Sequence, residues 1–192
     1  MNGDADGAAT PLTPEERKGL IPTYVTLRGE LNELEQQNIA DADRWSFGRR
    51  RDVLSDAFLR GLHRRMFNRV WRWAGKYRTS ERNLGIDSYR IETELHRVLD
   101  DVRYWIDRKT YSPDEIAVRF HHRLVSIHPF PNGNGRWSRL AADLLIVSLD
   151  GPRLTWGRAN LQAPGEVRKI YIAALKAADN HDIGPLLAFA RS

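Results

Sequence analysis

Ile127-His128-Pro129-Phe130-Pro131-Asn132-Gly133-Asn134-Gly135-Arg136-Trp137-Ser138-Arg139 is the stretch whose reading decides both the fold and the chemistry. Apolar residues recur at helical spacing on either side of it: Ile116, Phe120, Leu124 and Ile127 before, Leu140, Leu144 and Val147 after. Pro129 and Pro131 forbid continuation of the first helix, so the stretch is a turn between two helices, the second expected from Arg136 to about Leu149. Gly133 and Gly135 lack a Cβ and can bring backbone amides close to an anion, and a glycine turn feeding a helix N-terminus is an anion site. Arg136 and Arg139 are three residues apart on one helical face and can reach the same anion, and Asn134 can add its side-chain amide. His128, just before the turn, can take a proton from a hydroxyl while the turn holds the phosphate under attack. These residue types suggest phosphoryl or nucleotidyl transfer, in which positioning and charge neutralisation do most of the work. Spacing alone leaves a plain helix-turn-helix open beside it.

Working outward, Ser112-Pro113-Asp114-Glu115 has the spacing of a capping box with Pro at the first helical position, and starts the helix that delivers the chain to His128. Ile91, Leu95, Val98, Leu99, Val102 and Ile106 predict an amphipathic helix before it. Lys76 to Arg90 breaks helical period and reads as a loop or small β-hairpin. The longest helix is expected from Arg51 to Trp73, with Leu54, Phe58, Leu62, Met66 and Val70 as its core stripe and Gly75 closing it. His63 lies beside that stripe and reads as a core histidine bonded to a backbone carbonyl rather than a catalytic one. Leu27, Leu31 and Leu34 predict a helix over about 23–38, and Thr13-Pro14-Glu15-Glu16 a capped turn before it. Downstream, Gly151-Pro152 ends the helix after the turn, Pro164 starts one through Tyr171, Leu175 and Ala178, and a last runs from about Gly184 to Ala190. The fold class is all-α with one hairpin, a single domain over residues 13–192 behind a disordered start at 1–12.

The composition fits this. The chain has 192 residues, 41% hydrophobic, enough for one core without staples. It has no cysteine, which excludes disulfides, a thiolate zinc site and a cysteine nucleophile. No apolar run reaches membrane-spanning length and Met1 to Pro11 lacks the regions of a signal peptide, so a soluble cytoplasmic protein is expected. The net charge of +5 suits an anionic ligand such as a nucleotide, or a nucleic acid. The basic residues are partly blocked as Arg49-Arg50-Arg51, while Arg60, Arg64, Arg65, Arg69 and Arg72 spread between apolar ones, which favours a solvated helix face over a nucleic-acid surface.

His128 to Arg139 resembles the signature of the Fic family, His-Pro-Phe-x-Asp/Glu-Gly-Asn-Gly-Arg-x-x-Arg, a long and specific motif. Trp73-Ala74-Gly75-Lys76-Tyr77-Arg78 is similar to the segment leading into that family's flap hairpin, and the likeness covers roughly Leu54 to Phe189. Gly29 to Gln36 and Ala177 to Pro185 resemble the bacterial subgroup called mobile mystery protein B. The resemblance implies an all-α Fic fold that transfers AMP from ATP to a Ser, Thr or Tyr hydroxyl of a protein target. It implies His128 as base, Gly133, Asn134 and Gly135 as anion hole, Arg136 and Arg139 on the β- and γ-phosphates, and Tyr171 near the adenine. Thr79, Ser80, Glu81, Arg82, Asn83, Leu84, Gly85 and Ile86 would be the flap that clamps the target by strand-like pairing. Asn132 stands where the family has the Asp or Glu that holds Mg²⁺, so a weakened metal site is expected, with the ATP phosphates as the main ligands. Thr26-Leu27-Arg28-Gly29-Glu30-Leu31-Asn32 is similar to the family's inhibitory motif, with Leu31 as a departure, which implies Glu30 paired with Arg139. Further readings are a nucleotide-binding regulatory module with little turnover, transfer of a different phosphate-containing group and, from the arginines, a nucleic-acid-associated protein.

Overall fold

The computed structural model describes residues 14–81, 84–158 and 165–192, and all regular structure among them is helical. In chain order the helices are α1 (Pro14–Gly19), α2 (Arg28–Phe47), α3 (Asp56–Phe67), α4 (Ile91–Asp107), α5 (Pro113–Ile127), α6 (Asn134–Ser148), α7 (Glu166–Asp179) and α8 (Gly184–Ala190). None is long and apolar enough to cross a membrane. The expected disordered start, Thr13 and Pro164 lie outside the described residues.

Helices α5 and α6 form the spine. The Ser112 hydroxyl accepts from the Glu115 amide at 3.3 Å, Pro113 occupies the first turn, and Ile116, Phe120, Leu124 and Ile127 are all buried, as the periodicity predicts. One core cluster joins α2 to α6 on one side of this spine, and a second joins α5 and α6 to Leu154, Trp156, α7 and α8 on the other. Because α6 divides two cores, it buries Leu140, Leu144 and Leu145 toward the first and Ala142 and Ile146 toward the second. Val147, expected inward, falls on the remaining side and is exposed.

Two helices differ most from the sequence reading. The first helix after Pro22 runs past Asn38 to Phe47, because its buried stripe after Leu31 continues through Glu35, Asn38, Ala42 and Ser46 rather than through leucines. Asn38 Nδ2 donates to the Arg65 carbonyl at 2.7 Å and its Oδ1 accepts from the Arg69 amide at 3.0 Å, tying α2 to the end of α3. Helix α3 is shorter than expected. Ser55 caps it by accepting from the Phe58 amide at 3.2 Å, so Leu54 precedes it, and the buried positions are Leu59, Leu62, His63, Met66 and Phe67. After Phe67 the chain is pulled out of the helix by an antiparallel bridge between Leu20 and Trp71, with Ile21 donating to the Val70 carbonyl at 2.8 Å and Arg72 to that of Gly19 at 3.0 Å.

The expected hairpin is absent: no strand occurs among the described residues of 76–90, and Arg82 and Asn83 lie outside them. The physical reason is Arg78, 3% exposed, whose guanidinium donates to the carbonyls of Ser80 and Ile86 on either side of the loop, groups that a hairpin would pair with cross-strand amides. Glu81 closes the loop from outside by accepting from the Ser88 amide at 3.0 Å and hydroxyl at 2.7 Å.

Asn38→Ala removes both bonds from a buried site and is expected to lower unfolding free energy by about 2–3 kcal/mol in urea titration. Glu30→Ala, which removes only an exposed cap at the start of α2, should cost about 1 kcal/mol.

Candidate active site

His128 ends α5 in the left-handed region, at φ 52° and ψ 58°. A non-glycine residue holds that conformation only where its surroundings over-determine it. Here its amide donates to the Leu124 carbonyl at 3.3 Å, while Arg78 Nε donates to its carbonyl at 2.7 Å and the Arg78 amide to the Pro129 carbonyl at 2.9 Å. The flap loop meets the histidine at Gly85, where φ is +98° and a Cβ would lie 2.5 Å from that of His128. Glycine is required there both for its backbone and for the close approach.

The turn is closed by Asn134. Its Oδ1 accepts from the Phe130 amide at 2.9 Å and its Nδ2 donates to the Phe130 carbonyl at 2.8 Å, with the residue 2% exposed. The side-chain amide thus serves the turn through its oxygen and one of its two N–H donors. What the turn offers is backbone. Gly133 caps α6 in the left-handed region at φ 80°, packed so closely on the Phe67 ring that a Cβ would lie 2.5 Å away. Helix α6 thus begins at Asn134, two residues earlier than expected, and the amides of Asn134 and Gly135 stand in its first turn, where intrahelical acceptors are lacking.

Asn132 is exposed, and its Oδ1 accepts from the Gly133 amide at 2.7 Å. Among the described residues no group of three or more His, Cys, Asp or Glu could hold a metal ion. A single neutral oxygen already bonded to an amide does not fit a protein-held Mg²⁺.

The two arginines of the motif are held differently. Arg136 Nη1 donates to Glu35 Oε2 at 2.6 Å, and Trp71 Nε1 donates to the other oxygen, Oε1, at 2.6 Å; the Arg136 guanidinium also lies 4.8 Å over the Phe67 ring. Glu35, 4% exposed, was not singled out from the sequence because its partner is 101 residues away and no local spacing announces it. Glu30 does not reach Arg139. It is exposed, and its carboxylate accepts from the amides of Thr26 at 3.1 Å and Leu27 at 3.2 Å. The Arg139 guanidinium lies 5.5 Å from the centre of the Tyr171 ring; the Tyr171 hydroxyl lies 3.0 Å from His121 Nε2 and its ring packs 5.4 Å from that of Phe189. Tyr171 is thus a core residue with its hydroxyl beside the turn.

His63 is the core histidine the sequence predicts, and it does more than pack. The Gly75 amide donates to Nδ1 at 3.0 Å, which leaves Nε2 to donate to the Asn132 carbonyl at 3.1 Å, while Phe130 stacks on the ring at 3.6 Å. Burial pushes its pKa down to about 3. Burial likewise holds His121 well below the usual range.

The arginines before and along α3 are largely occupied. Arg51 and Arg65 both lie over the Trp45 ring, at 3.9 and 4.0 Å, Arg60 donates to the Gly75 carbonyl, Arg69 pairs with Asp41 and Arg72 donates to the Leu20 carbonyl. This is a solvated, internally paired face.

The Fic/DOC family profile matches residues 53–146. "Protein adenylyltransferase fic-1" of Caenorhabditis briggsae is 32% identical over 119 residues, 60% of this chain and 22% of that protein. The chain thus spans under a quarter of that relative's length. In fold it is similar to Fic-1 (residues 134–508) of C. elegans, with TM-score 0.67, 24% identity and coverage of 92% of this chain and 52% of that one. It is also similar to the BepC protein of Bartonella tribocorum with bound AMPPNP, with TM-score 0.67, 18% identity and coverage of 93% and 97%.

The buried imidazole gives a pH dependence. His63 has a folded-state pKa of about 3 against an ordinary 6.5, so below 6.5 the unfolded chain binds the extra proton. Stability is fully present above pH 6.5 and falls as pH drops toward 3. From this group alone the loss between pH 7 and pH 4 is about 3 kcal/mol. Urea unfolding at the two pH values should show it, and His63→Gln, less stable at pH 7, should lose correspondingly less on acidification.

Proposed function

The chain carries a Fic/DOC family domain over residues 53–146, and from that premise we propose that it transfers AMP from ATP to a Ser, Thr or Tyr hydroxyl of a protein target, itself included. The observation that carries this reading is the turn: one short segment places His128 just ahead of the first-turn amides of α6, with Arg136 and Arg139 following on that helix. His128 takes the proton of the target hydroxyl, whose oxygen forms the new bond to the α-phosphorus as the bond to the β-phosphate oxygen breaks and pyrophosphate leaves. The amides of Asn134 and Gly135 face the charge on the phosphate oxygens, and the two guanidiniums hold the β- and γ-phosphates. The names of the relatives and the nucleotide analogue bound by the BepC protein support ATP as donor. The loop of Thr79–Ile86 docks the target. Gly85 sets it against His128, and Leu84, 68% exposed, offers an apolar contact.

Regulation by the N-terminal helix passes, on this reading, through Glu35 rather than Glu30. Its carboxylate is the anion already on Arg136, so it competes with phosphate for that guanidinium. Asn132 supports a second reading, a nucleotide-binding module with little turnover, since its oxygen serves the Gly133 amide and brings no charge to a cation.

Incubation with ATP followed by intact-mass analysis of the chain and of lysate proteins is expected to show a gain of one AMP, abolished by His128→Ala. A gain of phosphate would identify a different transferred group. Nucleotide binding by calorimetry with no mass gain would establish the module instead.

Asn132→Asp is expected to raise the Mg²⁺-dependent labelling rate by about ten-fold or more, from the charge it brings to a hard cation. Glu35→Gln, which keeps an acceptor for Trp71, should raise ATP affinity severalfold; unchanged or weaker binding would make Glu35 a clamp and not a competitor.

A further inference from the structure

Tyr171 on α7 and His121 on α5 play no part in the transfer chemistry above, yet they meet at the second motif arginine. Resting on that reading of the phosphate site, we infer that Tyr171, backed by His121, is a positioning residue that fixes the Arg139 guanidinium for the terminal phosphates of the nucleotide.

Three helices supply the three groups. The Arg139 guanidinium lies against Tyr171, 5.5 Å from the centre of its ring, and the Tyr171 hydroxyl oxygen lies 3.0 Å from His121 Nε2. A hydroxyl that accepts from a guanidinium has its own proton left to donate, and the imidazole nitrogen beside it is the acceptor in reach. On this inference the chain of donation runs Arg139 to Tyr171 to His121. Burial holds the imidazole neutral, so Nε2 keeps the lone pair this needs. The ring also packs against Trp156, 4.6 Å away, whose Nε1 donates to Asp143 Oδ1 at 2.8 Å.

The location assigns the purpose. A Cβ built on Gly135 would lie 3.5 Å from Arg139 Nη1 and 4.0 Å from the Tyr171 hydroxyl oxygen, so both polar atoms border the anion turn itself. His121 is fully buried and its Nδ1 has no hydrogen-bond partner. An apolar residue would fill that space without leaving a nitrogen unpaired, so packing alone does not account for the imidazole; the bond made by Nε2 does. Arginine side chains have many rotamers, and one held by a fixed hydroxyl meets a phosphate without ordering itself first.

The test uses Tyr171→Phe in the full chain, with Arg139→Lys and the double variant. In the nucleotide-free protein, the NMR signal of the Arg139 Nε–H should exchange with solvent at least ten-fold faster in Tyr171→Phe, and His121→Leu should reproduce the effect. In competition against a fluorescent ATP analogue, Tyr171→Phe should weaken ATP about ten-fold and leave AMP, which lacks the terminal phosphates, unchanged. In the Arg139→Lys background the same change should weaken ATP by less than about two-fold, since Tyr171 acts through that arginine. An Arg139 signal indifferent to Tyr171→Phe, or equal losses of ATP and AMP as an adenine contact would give, overturns the inference. If the parent chain binds no nucleotide, the transferase reading fails, and the exchange measurement still decides whether Tyr171 positions Arg139.

Discussion

His63 sits at the middle of α3 with both ring nitrogens committed, Nδ1 accepting from the Gly75 amide and Nε2 donating to the Asn132 carbonyl. This pairing requires a neutral ring, because a proton on Nδ1 would set two donors against each other. It also joins three segments distant in sequence: the helix that carries the imidazole, the turn at Gly75 that leads to the flap loop, and the turn that carries Asn132. Phe130 stacks on the ring, Trp137 meets Phe130 edge-on at 4.9 Å, and Trp137 Nε1 donates to the Leu59 carbonyl at 2.9 Å. With α6 so tied to α3, Gly133 lies against Phe67, a residue of α3 four positions on from His63, and the first turn of α6 has only one place to be. The turn proposed to hold the anion is therefore fixed from the core outward.

Arg78 supplies the complementary constraint. One buried guanidinium collects carbonyls from the flap loop and from His128, so the loop that would receive a target and the histidine that would act on it share a single cation. A charged group with that many acceptors resists removal, since its loss would leave several carbonyls unpaired at once. The left-handed backbone of His128 is tolerated for the same reason.

These constraints explain what could and could not be read from the chain. Helices α5 and α8, the core role of His63 and the turn at 127–139 were legible because their signals are local: a capping box, Pro and Gly at element ends, and apolar period. The second half of α2 was not, because its buried face is Glu35, Asn38, Ala42 and Ser46, polar or small residues whose burial depends on partners elsewhere. Helix α3 was overextended because Leu54 and Val70 keep the four-residue period while the backbone leaves the helix for the Leu20–Trp71 bridge. The hairpin was lost to a guanidinium that replaces cross-strand partners. The resemblance to the family's inhibitory motif pointed to Glu30, whereas the glutamate that reaches the motif is five residues further along α2, placed there by three-dimensional proximity to Trp71 and Arg136.

The two motif arginines consequently differ in charge available to a ligand. Arg136 is matched by a carboxylate at 2.6 Å in a nearly buried pair, so its field is largely cancelled at a distance. Arg139 is in no ion pair among the described residues; its guanidinium lies against the neutral Tyr171 ring, and the Asp143 carboxylate acts on it only from further off. On the proposed reading, an incoming polyphosphate would meet the less neutralised cation at Arg139 and would have to displace or share Glu35 at Arg136. Since Glu35 also accepts from Trp71, releasing Arg136 leaves its carboxylate still hydrogen-bonded through Oε1, not stranded in the core. Exchange at Arg136 is then a local rearrangement around Glu35, while the geometry at Arg139, set by the second core cluster, does not have to change.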